Sequence, residues 1–506
     1  MKTGNRLLRG ALMLTCVNLL LRFGSTGFQV WLSGRIGAAG IGLLQLILSV
    51  NMLALTLGAA GGRTAAMYLT AEALGQNRRA DADRLLHGCF VYSILCSGAV
   101  SAGLFALSPA LARGWIGTMD ALPALRTWAV FLPAVCLTGV MPGYFTAANR
   151  IGTLAAVEVA EQVFTIAVTA LLLSSMPGIH RAGACRTVVL GSCLGSVLTL
   201  GCLMALYGRM GAEGESRIRV VRPIVQCAVP LAVADDLKAG ISTLENLMVP
   251  RRLALFQASG DPLAAFGRVS GMVFPVMMLP AAILSSLAEV LIPELARCKA
   301  VGSRTRIRYL VGRSLRGAYV YGLICGSLLF LLSDALCGRL YPGADVAPLL
   351  RRFSLLVPML YCDLVCDAMN KGLGAQRSVA LYSIISNMID IGLMFVLLPL
   401  LGLDGYFLSF TLTHAVNFLL GLRRVLSISG GRTDLPEFLG LLAVALFASF
   451  GGSCFSGPLR RAAVFCGLFI SLSFYLGLFG KGDLRWIKHL IFKSGEQSNF
   501  ADATNS

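Results

Sequence analysis

The stretch PLAVADDLKAGISTLENLMVPRRL, residues 230–253, puts Asp235, Asp236, Lys238 and Glu245 inside an otherwise apolar segment of helix length. With about 100° between successive residues, Asp235, Lys238, Ser242 and Glu245 share one face, whereas Asp236 points to the other side. Ionisable groups inside an apolar helix are rare and mark substrate, ion or gating functions by default. Asp235 and Lys238, three residues apart, can also simply neutralise each other, so the segment itself leaves both readings open.

The surroundings of this stretch define the class. Of 506 residues, 56% are hydrophobic and only 13% charged, with a mean hydropathy of +0.75. Soluble domains carry about 25% charged residues, so this composition predicts a polytopic membrane protein. A bilayer crossing needs about 20 apolar residues. Uncharged runs of that length lie between Arg35 and Arg63, Arg84 and Arg113, Arg126 and Arg150, Arg186 and Arg209, Arg268 and Glu289, Glu437 and Arg460, and Arg461 and Lys481. Segments broken by a few polar groups, near 7–33, 152–176, 224–249, 313–334, 353–370, 378–402 and 405–422, bring the total to about fourteen spans. About two-thirds of the 43 lysines and arginines then fall on the side of the N-terminus, which predicts that both termini are cytoplasmic. Basic loops facing anionic lipid account for the net charge of +18, and no nucleic-acid partner is needed to explain it. The first apolar segment is too long for a cleavable signal and is expected to remain as the first span. The 15 cysteines, nearly all within spans and without CxxC spacing, suggest neither a disulfide framework nor a metal site; Cys362 and Cys366 read as small packing residues.

The chain reads as two related halves. AEALGQNRRADADRLL (71–86) has a counterpart in PELARCKAVGSRTRIRYL (293–310), and PGYFTAANRIGTLAAVEVAEQV (142–163) in CDAMNKGLGAQRSVALYSIISNM (366–388). Six helices separate each pair, which implies parallel repeats related by an axis along the membrane normal. The expected architecture is therefore an all-α membrane protein of about 14 helices. It divides into an N-lobe over 1–210, a cytoplasmic linker over 211–223, a C-lobe over 224–424, a helix pair over 425–480, and an interfacial helix with a disordered tail over 481–506.

In NLLLRFGSTGFQVWLSGRIGAAGIGLLQL (18–46), PGYFTAANR, LENLMVPRRL (244–253), FGRVSGMVFPVMMLPAAILSSLAEVLIPELA (266–296) and KGLGAQRS (371–378), taken in order, the chain resembles the multidrug, oligosaccharidyl-lipid and polysaccharide flippase superfamily, and within it the stage V sporulation protein B group of exporters. The resemblance implies a two-lobed, V-shaped transporter of the cytoplasmic membrane. Its expected substrate is an undecaprenyl-diphosphate-linked saccharide, for polysaccharide, peptidoglycan or spore-cortex synthesis. It also implies that Arg22 in the first helix and Arg268, in the pattern R-x-x-x-x-x-F-P, bind the diphosphate. Arg251 and Arg252 match the family's P-R-x-L, and Glu161 its Glu-Gln. Phe28 and Gln29 stand where the lipid II flippases carry an Arg-Asp pair, which argues against lipid II as the substrate.

The residues add an independent case. A guanidinium within a span requires an anionic partner, either the substrate or a permanent lock such as Asp235, Glu245 or an acid of the tenth span. With Lys238, these arginines form the candidate substrate set. Asp235, Glu245, Glu161, Asp363, Asp367 and Asp390 form the candidate gating or coupling set, with H⁺ or Na⁺ as the possible coupling ion and no cofactor. Asp363 and Asp367 are one turn apart, while His414 and Asn417 read as a helix-helix hydrogen bond. An acid-lined antiporter that expels cationic drugs in exchange for H⁺ or Na⁺ is the rival transporter class. A membrane enzyme is the other rival: Asp81-Ala82-Asp83 mimics a sugar-nucleotide D-x-D, but its loop is too short to build a nucleotide-binding domain. No P-loop, zinc motif or Ser/His/Asp constellation stands out.

Overall fold

The computed structural model describes residues 2–76, 78–148, 150–175, 180–208, 220–256, 260–431 and 434–478, and these are helical with no strand among them. The helices are α1 (Lys2–Ala59), α2 (Gly62–Gly75), α3 (Arg79–Ala110), α4 (Leu122–Ala147), α5 (Ile151–Ser174) and α6 (Arg181–Gly208). They continue with α7 (Val221–Leu253), α8 (Pro262–Phe266), α9 (Phe274–Met278), α10 (Ala281–Ala300), α11 (Arg304–Leu340) and α12 (Ala347–Ser354). The last are α13 (Val357–Gly372), α14 (Gln376–Leu401), α15 (Leu403–Ser429), α16 (Leu435–Ser453) and α17 (Pro458–Tyr475). The interfacial helix expected over 481–493 and most of the 211–223 linker lie outside the described residues.

The many apolar helices make this a multi-pass membrane protein, with 9 described helices long and apolar enough to cross, or 10 if one bent pair counts as a span. The difference from about fourteen has physical causes. One run, Leu19–Gly75, is 57 residues long and counts once, although a straight helix of that length would reach about 86 Å. It is broken at Gly37, whose φ of 71° lies in the left-handed region, and again at Ala60 and Gly61. The tenth span is split into α12 and α13, with Pro358 at the start of the second piece. The uniform apolar run after Arg268 is likewise split at Leu279–Pro280 between α9 and α10.

The chain separates into two compact units. One comprises Val17–Val276 with Ser383–Thr413, the other Met1–Cys16, Met277–Tyr382 and His414–Ser506. In the first unit, α2, α3, α4, α6 and the start of α7 bury a core that includes Leu69, Leu86, Met141, Phe145, Leu203 and Ala228. Since lipid tails are as apolar as the helices, small residues must bring these helices together. An added Cβ at Gly191 or Gly195 would meet Thr169 or Thr165 at 2.0 Å, so α5 and α6 touch through a glycine stripe. In the second unit, α11 carries α16 and α17, burying Leu323, Leu441, Ala448, Phe465 and Phe469, and Arg316 pairs with Glu437 at 2.7 Å.

The tightest approach is between α1 and the segment that begins at α8. A Cβ on Gly267 would lie 2.0 Å from the Ala38 carbonyl oxygen, and one on Gly42 2.1 Å from that of Leu263. Backbone meets backbone there, and neither partner can rotate away. Gly267→Ala should therefore destabilise the protein by about 1–3 kcal/mol, read as a lower unfolding midpoint in detergent. Gly103→Ala, inside α3 and facing open space, should not lower it; equal midpoints for the two variants would contradict the contact.

Candidate functional site

Residues 267–273 wind as a π-helical stretch between α8 and α9, a form that recurs at functional sites. Arg268 stands on it, half-buried, with its Nε buried and without a hydrogen-bond partner. Gln29 of α1 donates to the Gly271 carbonyl at 3.0 Å, so the side-chain bond and the glycine contact together fix this stretch against α1. Arg22 is exposed on α1, upstream of the break at Gly37. Among the described residues neither arginine forms an ion pair, so no permanent lock to an acid is present.

On α7 the four-residue face separates. Asp235 and Lys238 are both exposed and do not pair with each other. Asp236, assigned to the opposite side and left out of the candidate set, is the more enclosed of the two acids, with Oδ1 buried and unpartnered. Two turns on, half-buried Glu245 lies beside Asp390 of α14. Asp390 is buried; Ser409 donates to its Oδ1 at 2.6 Å and Thr413 Oγ1 lies 3.2 Å away, both from α15. Tyr406 adjoins both carboxyl groups, and Phe274 and Phe410 pack beside it. Two carboxylates have no donor between them, so a proton or a cation is what can bridge such a pair. The same oxygens, two carboxyls and two hydroxyls, are also the hard donors that an alkali cation prefers.

The second unit has its own acid pair. Asp363 of α13 is buried and accepts from Asn417 Nδ2 at 3.0 and 3.1 Å, with half-buried Asp367 one turn on. Asn417 therefore bonds across to Asp363. Below it, Asn370 donates to the Gly421 carbonyl at 3.0 Å while its Oδ1 stays buried and unpartnered.

The remaining candidates belong to neither acid pair. Arg251 and Arg252 end α7 beside an apolar cavity of about 640 Å³ with Trp115, Leu247 and Phe395, and the Arg252 guanidinium sits 3.2 Å over the Phe395 ring. Glu161 of α5 accepts from Ser196 at 3.3 Å and has Glu158 next to it, which in turn faces Arg63. Glu158 escaped the sequence reading although it precedes Glu161 by one helical turn, a spacing that signals a shared face. Among the described residues no group of three His, Cys, Asp or Glu gathers into a metal site.

Comparison with known proteins places this arrangement in a family. The model of the polysaccharide biosynthesis protein family matches residues 7–299. Stage V sporulation protein B of Bacillus subtilis (strain 168) is 24% identical over 475 residues, covering 88% of each chain. Among solved structures, the lipid II flippase MurJ in an inward closed conformation superposes with a TM-score of 0.72 at 12% identity, over 92% of this chain and 99% of that one. An inward-facing multidrug resistance MATE family transporter of the MOP superfamily gives 0.66 at 13%, over 82% of this chain and 99% of that one. At such identities the solved structures establish the fold, and the family model spans more than half the chain: the protein belongs to the polysaccharide biosynthesis protein family and has the fold of the MOP superfamily transporters.

Proposed function

We propose that the protein is a flippase that carries an undecaprenyl-diphosphate-linked saccharide from the inner to the outer leaflet of the cytoplasmic membrane by alternating access, with both termini cytoplasmic. The observation that carries this reading is the buried, unpartnered Nε of Arg268, accompanied in the same unit by Arg22, a second guanidinium with no ion pair among the described residues. Arginine cannot neutralise itself by losing a proton, and its planar fork fits a diphosphate in bidentate fashion. Membership of a polysaccharide biosynthesis family and the likeness to stage V sporulation protein B support a lipid-linked glycan as the cargo. The repeats over 1–210 and 224–424 serve as the two lobes, and Lys238 on the exposed face of α7 adds a third cation to the substrate set.

Glu245 with Asp390, and Asp363 with Asp367, then serve as coupling or gating sites. They are also what an acid-lined cation antiporter would need, and they are the features that favour that second reading. The two readings separate at the arginines, which a cationic cargo would avoid.

Arg22→Ala and Arg268→Ala should each lower flipping of a fluorescent undecaprenyl-diphosphate sugar in proteoliposomes at least tenfold, with the unfolding midpoint unchanged. Wild-type rates in a folded Arg22→Ala variant would sink the diphosphate role. Asp390→Asn removes one carboxyl of the pair with Glu245. Its flipping should become insensitive to an imposed pH or Na⁺ gradient to which the wild type responds; an unaltered response would take coupling away from this pair.

A further inference from the structure

The two halves of the chain repeat each other more closely than the loop junctions reveal, and one of the places where the repeat fails is informative. LFALSPAL (104–111) corresponds to LFLLSDAL (329–336), and PALRTW (123–128) to PLLRRF (348–353), at a single spacing throughout. The geometry is repeated too. The Arg126 guanidinium lies 5.2 Å over the Phe105 ring and that of Arg351 lies 5.9 Å over Phe330. Ser108 and Ser333 both donate to the carbonyl three residues earlier, those of Phe105 and Phe330.

In the later repeat the arginine is neutralised internally, since Arg351 pairs with Asp334 and donates to Ser333 at 3.2 Å. In the earlier repeat Pro109 occupies the position of Asp334. Arg126 forms no ion pair among the described residues, nor does Arg186 of α6 beside it, and Asp120 in the preceding turn pairs with neither. Both arginines are exposed and line one cleft of about 460 Å³, walled by Phe105, Pro123, Val130 and Phe131 with the Thr127 side chain. A fold that supplies a carboxylate to this arginine in one half, and in the other removes it and adds a second cation, leaves a site built for an external anion.

We propose that this cleft binds the phosphate of an anionic membrane phospholipid, with Arg126 and Arg186 on the headgroup and the apolar wall against the acyl chains. The lipid source follows from the surroundings: Phe105 and Val130, which line the cleft, are 46% and 63% exposed, as side chains that face a bilayer are. The site is separate from the residues assigned to transport and does not depend on the cargo.

Native mass spectrometry of the full-length protein in detergent, titrated with phosphatidylglycerol, phosphatidylcholine and inorganic phosphate, tests this. Phosphatidylglycerol should be retained in preference to phosphatidylcholine. A basic side chain near an anionic lipid contributes about fivefold, so Arg126→Gln should weaken retention about fivefold, and Arg126→Gln with Arg186→Gln about 25-fold. Pro109→Asp, which supplies the carboxylate of the other repeat, should weaken it similarly, while Arg351→Gln should not change it. Equal retention of both lipids, undiminished phosphatidylglycerol binding by the double variant, or its displacement by equimolar inorganic phosphate would overturn the proposal.

Discussion

A guanidinium that carries its charge under all physiological conditions must meet an anion wherever water is scarce. Much of this protein can be understood from how it meets or withholds that requirement. Arg316 is answered by Glu437 and Arg351 by Asp334, both within one structural unit. Arg268 is held in place by backbone contacts so close that only glycine fits at positions 42 and 267, and no carboxylate is supplied to it. Rigid positioning of an unsatisfied cation differs from snorkelling, in which a flexible side chain simply carries its charge to the interface. It costs stability locally and is retained where a ligand completes the site.

The acids follow the complementary logic. Glu245 and Asp390 are brought together among Tyr406, Phe274 and Phe410, where charge is poorly solvated and a shared proton or a cation stabilises the pair. Asp363 is satisfied by the two hydrogen bonds of Asn417. A transporter exporting a dianionic head from an inside-negative cell gains about 4.6 kcal/mol from a 100 mV potential, at about 2.3 kcal/mol per charge. Arginines assigned to such a head and acids assigned to ion coupling are therefore compatible within one transporter.

How much of this was legible in the sequence depended on the range of the interaction. Composition and apolar run length identified a multi-pass helical protein, and the one-turn spacing of Asp363 and Asp367 foretold their adjacency. The shared face of α7 was only partly informative: a helical wheel groups Asp235, Lys238 and Glu245, but tertiary packing turns Glu245 alone toward Asp390, a residue from a distant helix. Asn417, read from its span as a helix-helix hydrogen-bonding residue, does bond across to another helix, but its partner there, Asp363, could not be named from the sequence. The π-helical stretch under Arg268 leaves no signature in apolar periodicity, and its glycines read as ordinary small residues until the backbone of α1 lies against them. The number of spans was less legible, because prolines 280 and 358 divide runs whose hydropathy is continuous while α1 and α2 join into one long apolar run.

The central claim is that an anionic lipid-linked head is the cargo, and its direct test is the response of the wild-type protein to voltage. Flipping of an undecaprenyl-diphosphate sugar in proteoliposomes should accelerate under a potential that is negative on the side from which the head departs, and slow when the sign is reversed. A rate indifferent to both signs, together with gradient-driven movement of cationic dyes through the same protein, would contradict the account and make the buried acids, rather than the arginines, the substrate site.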